Sequence, residues 1–251
     1  MKITTRKQAF ALHLIGSLFI AAMAATLVFL FWYPWSLSAA TGATDIFLML
    51  LLIDVITGPC LTLIVFDREK KELKRDLIFV VLLQLSALAY GINAVFVARP
   101  VYYVFTGNNF ELTYANDLND ERLANARLDQ FKTLPLLGPE TISARLDEET
   151  QNERTAIRAM LTRNLPILPQ YYLPYNELLP QIQESARPLS DLRESNADKR
   201  SEIDELQKKH AENINAVGFV PLNGADEDLV AIVRKTDGHL LDIRRLKSEK
   251  K

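Results

Sequence analysis

Three apolar runs within the first 97 residues constrain this chain more than any other feature. Residues 9–33 carry no formal charge, residues 46–66 carry one, Asp54, and residues 77–97 carry none. At about 1.5 Å of rise per residue, a helix of about 20 residues crosses the roughly 30 Å hydrocarbon core of a bilayer. Each run is long enough. Read as buried core helices, three such runs would need a much larger soluble shell than the rest of the chain supplies. The expected fold is therefore a three-helix transmembrane domain over residues 1–97, followed by a separate domain over residues 98–251.

Averages hide this division. The 251 residues carry a net charge of -2 and are 49 % hydrophobic, which alone would describe an ordinary soluble protein. Yet residues 1–97 hold eight Lys/Arg and six Asp/Glu, whereas residues 98–251 hold 21 and 25. The mean hydropathy of +0.02 combines a very apolar third with a polar remainder. A single cysteine excludes a disulfide scaffold. A pI near 6.0 argues against a nucleic-acid partner.

Basic residues give the spans a direction. Lys2, Arg6 and Lys7 precede the first span, residues 34–45 hold no Lys or Arg, and residues 67–76 hold Arg68, Lys70, Lys71, Lys74 and Arg75. Positive residues stay in the cytoplasm. The N-terminus and second loop are then inside, and everything after residue 97 is outside. Phe31, Trp32, Tyr33 and Trp35 crowd the outer end of the first span, and Tyr102 and Tyr103 follow the third, as aromatic belts require. A cleaved signal peptide would share the basic start and could use Ser38-Ala39-Ala40 as its cleavage site. Its apolar core would be too long against the usual length of about 7–15 residues, so an uncleaved helix is expected.

Asp54 is the exception inside the spans. A carboxylate there costs about 2.5–3.5 kcal/mol, offset by surrounding Leu, Ile, Val and Phe at about 0.3–0.6 kcal/mol each. The sequence places it about 12 Å below the outer interface, level with Thr26 and Tyr90. It suits an interhelical clasp or a docking point for another membrane helix better than an ion path, which normally shows more midplane charges and more spans. Four residues on, Gly58-Pro59 predicts a kink or local break, with Thr57 and Thr62 able to satisfy freed backbone groups. Ser17, Ala21 and Ala25, and Ala87 and Gly91, form small-residue stripes that let helices approach closely. Gln84 and Asn93 add polar contacts, Cys60 reads as an inert small hydrophobe, and His13 reads as interfacial.

The remaining residues read as α+β with antiparallel sheet. Residues 101–105 and 110–114 form a strand pair around Gly107-Asn108-Asn109. Asp117 is expected to cap a helix to about Phe131, and Thr150 with Glu153 to form a capping box before a second helix. Residues 165–188 hold five prolines and three tyrosines and cannot be one helix. Residues 196–214 read as a helix with Ile203, Leu206, His210 and Ile214 on one face. Residues 217–222 read as a strand whose Pro221 marks an edge. Asp237-Gly238 predicts a final hairpin.

No metal-ligand spacing, nucleotide fingerprint or nucleophile motif is present in the sequence. The expectation is a non-enzyme with no cofactor, no metal site and no catalytic residue.

Several segments together resemble one bacterial family. They are Tyr33-Pro34, Gly42 with Asp45-Ile46-Phe47, Asp54-Val55 with Gly58-Pro59-Cys60-Leu61-Thr62, and Asp76-Leu77 with Gln84-Leu85. Tyr90-Gly91, Ala98-Arg99-Pro100-Val101-Tyr102, Phe110-Glu111-Leu112 and Ala115-Asn116-Asp117 continue the pattern. The family is the TfpX/TfpZ-type type IV pilin accessory proteins; the match is dense over residues 15–120 and loose beyond. The resemblance implies an inner-membrane protein of a Gram-negative bacterium, its second domain periplasmic. Its partners would be a type IV pilin, through that pilin's transmembrane helix and globular head, and the lipid bilayer. On that reading it supports the stability or assembly of a major pilin as a membrane-bound chaperone. Asp54, Thr57, Gly58, Pro59 and Thr62 would then shape the intramembrane contact, and Arg99 with Pro100 would be the domain hinge. A membrane sensor with a periplasmic ligand-binding domain is the alternative, though its ten-residue basic loop is short for an output domain. A pilin-modifying enzyme is the third reading.

Overall fold

The computed structural model describes residues 5–153, 155–209, 217–225 and 228–249. It separates into two compact units, Met1–Ala98 and Arg99–Lys251.

The first unit contains three helices long and apolar enough to cross a membrane. Helix α1, Arg6–Thr26, starts at a capping box in which Thr5 and Gln8 exchange bonds between side chain and backbone. It widens into a π-helical turn over Leu27–Trp32, closed by the Tyr33 N–H donating to Val28 O at 2.8 Å. The sequence carries no cue for this irregularity. The wider turn buries Val28, Trp32 and Tyr33 together. A short helix, α2, Trp35–Ala40, follows Pro34 and buries Leu37 fully, where the sequence reads as loop. Gly42 turns the chain at φ 66 into α3, Ala43–Val65. Helix α4, Leu73–Val97, begins four residues before the apolar run, so Lys74 and Arg75 lie in its first turn. The bundle core comprises Ala24, Val28, Trp32, Tyr33, Phe47, Leu51 and Leu88.

Of the kink or local break expected at Pro59, the break does not occur: α3 is helical over Ala43–Val65 with Pro59 inside it. Gly58 and Pro59 are both buried, and packing on both sides holds the helix through the missing hydrogen bond.

The second unit is α+β. Strand β1, Pro100–Phe105, pairs antiparallel with β2, Phe110–Tyr114. Helix α5, Asp120–Ala124, is short and capped by Asn119, not Asp117; the Asp117 carboxylate instead accepts the Tyr114 N–H, which leaves it outside the helix. Strand β3, Glu140–Ala144, runs parallel to β1. Helix α6, Glu148–Gln151, is capped by Asp147, which places Thr150 inside the helix and dissolves the expected capping box. Helix α7, Thr155–Asn164, follows.

The proline-rich stretch becomes short 3-10 turns around β4, Tyr172–Pro174, α8, Leu179–Ser185, and β5, Arg187–Pro188. Helix α9, Leu192–Ser195, and α10, Arg200–Lys209, follow; Ile203 and Leu206 are buried, while His210 and Ile214 lie outside the described residues. Strands β6, Val217–Asn223, β7, Leu229–Arg234, and β8, Leu240–Arg244, form an antiparallel meander.

One eight-stranded sheet results, ordered β4-β3-β1-β2-β6-β7-β8, with β5 also on β6. Strand β6 is therefore interior, correcting the edge reading of Pro221. That proline falls between two short neighbours, β5 at Gly218 and Phe219 and β2 at Leu222 and Asn223. The sheet carries two cores. Tyr102, Phe131 and Tyr172 pack edge-on with centroids 5.6–6.4 Å apart in one. Leu192, Ile203, Phe219 and Ile232 centre the other.

Candidate functional site

Apolar surface and polar punctuation meet between α3 and α4. A lateral groove of about 460 Å³ runs there, open to one side. Ile46, Met49, Ile53 and Leu61 line it from α3, and Val80, Leu83 and Ala87 from α4. Its polar points are Asp54, Thr57, Gln84 and Tyr90. Helical periodicity explains the assembly: Leu50, Asp54, Thr57, Gly58 and Leu61 are spaced at three and four residues and share one face of α3. Asp54 is the twelfth of 23 residues in α3, which begins three residues before its apolar run does. It therefore lies about 16 Å from either end of the helix.

The two helices approach closely at glycine. A β-carbon on Gly91 would overlap the Leu50 side chain, and one on Gly58 would overlap the Gln84 carboxamide. The small-residue stripe of α4 thus serves packing within the bundle at Gly91 and groove lining at Ala87.

Behind the groove a polar network joins all three long helices. Gln84 Nε2 donates to Ser17 Oγ on α1 at 2.9 Å and to the Asp54 carbonyl on α3 at 3.2 Å. Its Oε1, which can only accept, lies 2.7 Å from His13 Nε2, so that nitrogen donates. His13 Nδ1 meets Thr62 Oγ1 at 2.5 Å. His13, expected near the interface, is thus bonded within the bundle to both α3 and α4. Its signal in the sequence is the four-residue spacing to Ser17, which stacks two polar groups on one helix face. Thr26 and Tyr90 are not partners of Asp54. The Thr26 hydroxyl donates to Ala22 O within its own helix at 2.8 Å, and Tyr90 is 77 % exposed.

The five residues singled out on α3 therefore divide. Asp54, Thr57 and Gly58 line the groove. Pro59 and Thr62 are buried, with Thr62 turned to His13. Arg99 and Pro100 belong to the second unit. Pro100 opens β1, and Arg99 is 4 % exposed, its Nη2 donating to Pro135 O at 2.9 Å. Among the described residues no group of three or more His, Cys, Asp or Glu could hold a metal ion.

Such a groove presents the Asp54 carboxylate and the Thr57 and Tyr90 hydroxyls among apolar side chains, while the Gln84 carboxamide is committed to the network behind it. Comparison with known proteins gives the context. The family model described as "Fimbrial assembly protein FimB" matches residues 1–42. The fimbrial assembly protein of Dichelobacter nodosus serogroup I is 29 % identical over 216 residues, covering 84 % of this chain and 83 % of that protein. The serogroup E1 protein is 27 % identical over 215 residues, with the same coverage of 84 % and 83 %. The protein of serogroups C1 and C2 is 34 % identical over 117 residues, 46 % of this chain and 89 % of that relative. No solved structure matches this chain. Spanning nearly all of a relative at this identity, the chain belongs to the fimbrial assembly protein family.

Proposed function

We propose that this fimbrial assembly protein is a membrane-bound chaperone of a type IV pilin, of the TfpX/TfpZ kind. It resides in the inner membrane with its N-terminus cytoplasmic and its α+β domain periplasmic. The α3–α4 groove receives the apolar helix that anchors the pilin, and the α+β domain receives the pilin head. Arg99 and Pro100 set the path of the chain between the two contacts. The role is one of holding and handing over, without covalent change to the pilin.

The observation that carries this reading is the lateral groove, with Asp54 central in α3 and Thr57, Gln84 and Tyr90 the other polar points of a wall of apolar side chains. A carboxylate at that depth is costly unless it has a function or a partner. An opening to the side is what a second membrane helix needs in order to enter.

A photocrosslinking residue at Ile53, on the groove wall, should capture pilin in living cells. Asp54→Leu should leave the protein inserted and lower pilin abundance or piliation. Normal pilin levels together with an absent adduct would reject the docking role. A pilin mass that changes with loss of this protein would point instead to an enzyme.

A further inference from the structure

We infer that the second unit makes a membrane contact of its own. The loop of residues 132–139 inserts Leu136 and Leu137 into the headgroup–acyl boundary of the bilayer that α4 crosses.

Leu136 is 70 % exposed and Leu137 61 %, an adjacent pair of large apolar side chains facing solvent. Leu134, two residues earlier, is packed against the core beside Phe131. The loop is also well fixed. Pro135 and Pro139 restrict the backbone on both sides of the pair, and Gly138 takes a positive φ of 34. An ordered loop that presents leucines loses little entropy when they enter an apolar medium.

Connectivity identifies that medium. Pro135 O accepts from Arg99 Nη2 at 2.9 Å, and Arg99 O accepts from Ala115 N at 2.9 Å. Arg99 is thereby locked into the second unit, only two residues after Val97, the last residue of α4. Two residues of chain, about 7 Å at most, and one arginine side chain separate the helix end from the loop. That helix end carries the marks of an interface. The Tyr33 hydroxyl donates to Ala98 O at 2.8 Å, and Trp32 packs on Phe96 with centroids 5.0 Å apart. Aromatic residues of this kind sit at the headgroup level. A loop tied so closely to that level has lipid within reach, and two leucines are what monotopic contacts use. The proposal rests on α4 crossing a bilayer and is independent of any pilin.

The test uses the full chain in phosphatidylcholine–phosphatidylglycerol vesicles, with Cys60 replaced by serine and one environment-sensitive fluorophore on a new cysteine. At Leu136→Cys or Leu137→Cys, a nitroxide on the upper acyl chain should quench roughly twofold or more above the level at Asn108→Cys, with aqueous iodide showing the reverse order. Asn108 is an exposed control in the turn beyond the far end of β1, about 20 Å along the strand from Pro100. Leu82→Cys, 57 % exposed on α4, reports the helix itself. Lipid quenching at Leu82 but not at Leu136 or Leu137 would overturn the loop contact alone. No quenching at Leu82 would remove α4 from the bilayer and the loop contact with it. Protection from iodide without lipid quenching would mean that protein covers the leucines, and would also overturn the proposal.

Discussion

The carboxamide of Gln84 on α4 occupies the space that a β-carbon on Gly58 of α3 would need. That single absence lets one side chain cross between the helices and bond Ser17, His13 and the Asp54 carbonyl together. Gly58→Ala should therefore act through Gln84, displacing it from the network. Double-mutant cycles in membranes give about 0.6 kcal/mol per interhelical hydrogen bond, so losing two or three predicts about 1–2 kcal/mol. Unfolding in bicelles would check this, with a Gly58→Ala/Gln84→Leu double variant costing clearly less than the sum of the two singles.

His13→Leu should destabilise the bundle although it makes α1 more apolar. It strands Gln84 Oε1 and Thr62 Oγ1 inside, and each lost interhelical bond predicts about 0.6 kcal/mol, with about 1.7 as the largest seen. Joint replacement of His13, Gln84 and Thr62 by apolar residues should recover much of the loss. The checking measurement is the same unfolding assay on both variants.

The aromatic core of the second unit should show itself at alkaline pH. Burial pushes the Tyr102 hydroxyl up to about 12, with the nearby Glu140 carboxylate adding to the shift. Burial raises Tyr172 as well, helped by Tyr102 and Asp117. An acid whose folded-state value is raised favours the folded state while protonated. Its contribution is complete below the ordinary tyrosine value of about 10 and is lost as pH climbs from there towards 12. A phenolate absorbance titration should show these two tyrosines ionising late and together with unfolding. Ionisation near 10 in a folded protein would contradict the packing.

Gly238 turns β7 into β8 at φ 74, and its N–H donates to Arg234 O at 2.7 Å. Gly238→Ala should cost about 1–2 kcal/mol from the left-handed backbone alone. A β-carbon there would also press on the Leu179 backbone at 3.0 Å. For a domain of this size, about 2–4 °C of melting temperature is expected per kcal/mol, readable by near-ultraviolet circular dichroism.

Much of this protein was legible from one dimension. The three helices follow from uninterrupted apolar length, because a bilayer reduces the choice to helix or barrel. The β1–β2 pair follows from β-branched and aromatic runs around Gly107-Asn108-Asn109, and the β7–β8 hairpin from aliphatic runs around Asp237-Gly238. Caps were less readable. Asp117 and Asp147 both precede short helices, yet only Asp147 caps one, because Asp117 finds a nearer donor in Tyr114. Local chemistry allowed either outcome and geometry selected one. At Pro59 the sequence allowed a kink or a break, and α3 continues as one helix through a buried Gly58-Pro59 pair.

The groove shows the same division. Spacing along α3 put Asp54, Thr57 and Gly58 on one face, and no tertiary information was needed for that. Spacing could not say that Thr62 would turn away to His13, 49 residues distant, or that Gln84 rather than Tyr90 would reach the Asp54 turn. Sequence alone determined which segments belong in lipid and which in water, because transfer free energy adds up along a continuous run. Only the tertiary structure decided which polar groups inside the bundle meet, because a hydrogen bond depends on ångström-scale approach between helices. That approach is set by where a glycine lets two backbones close.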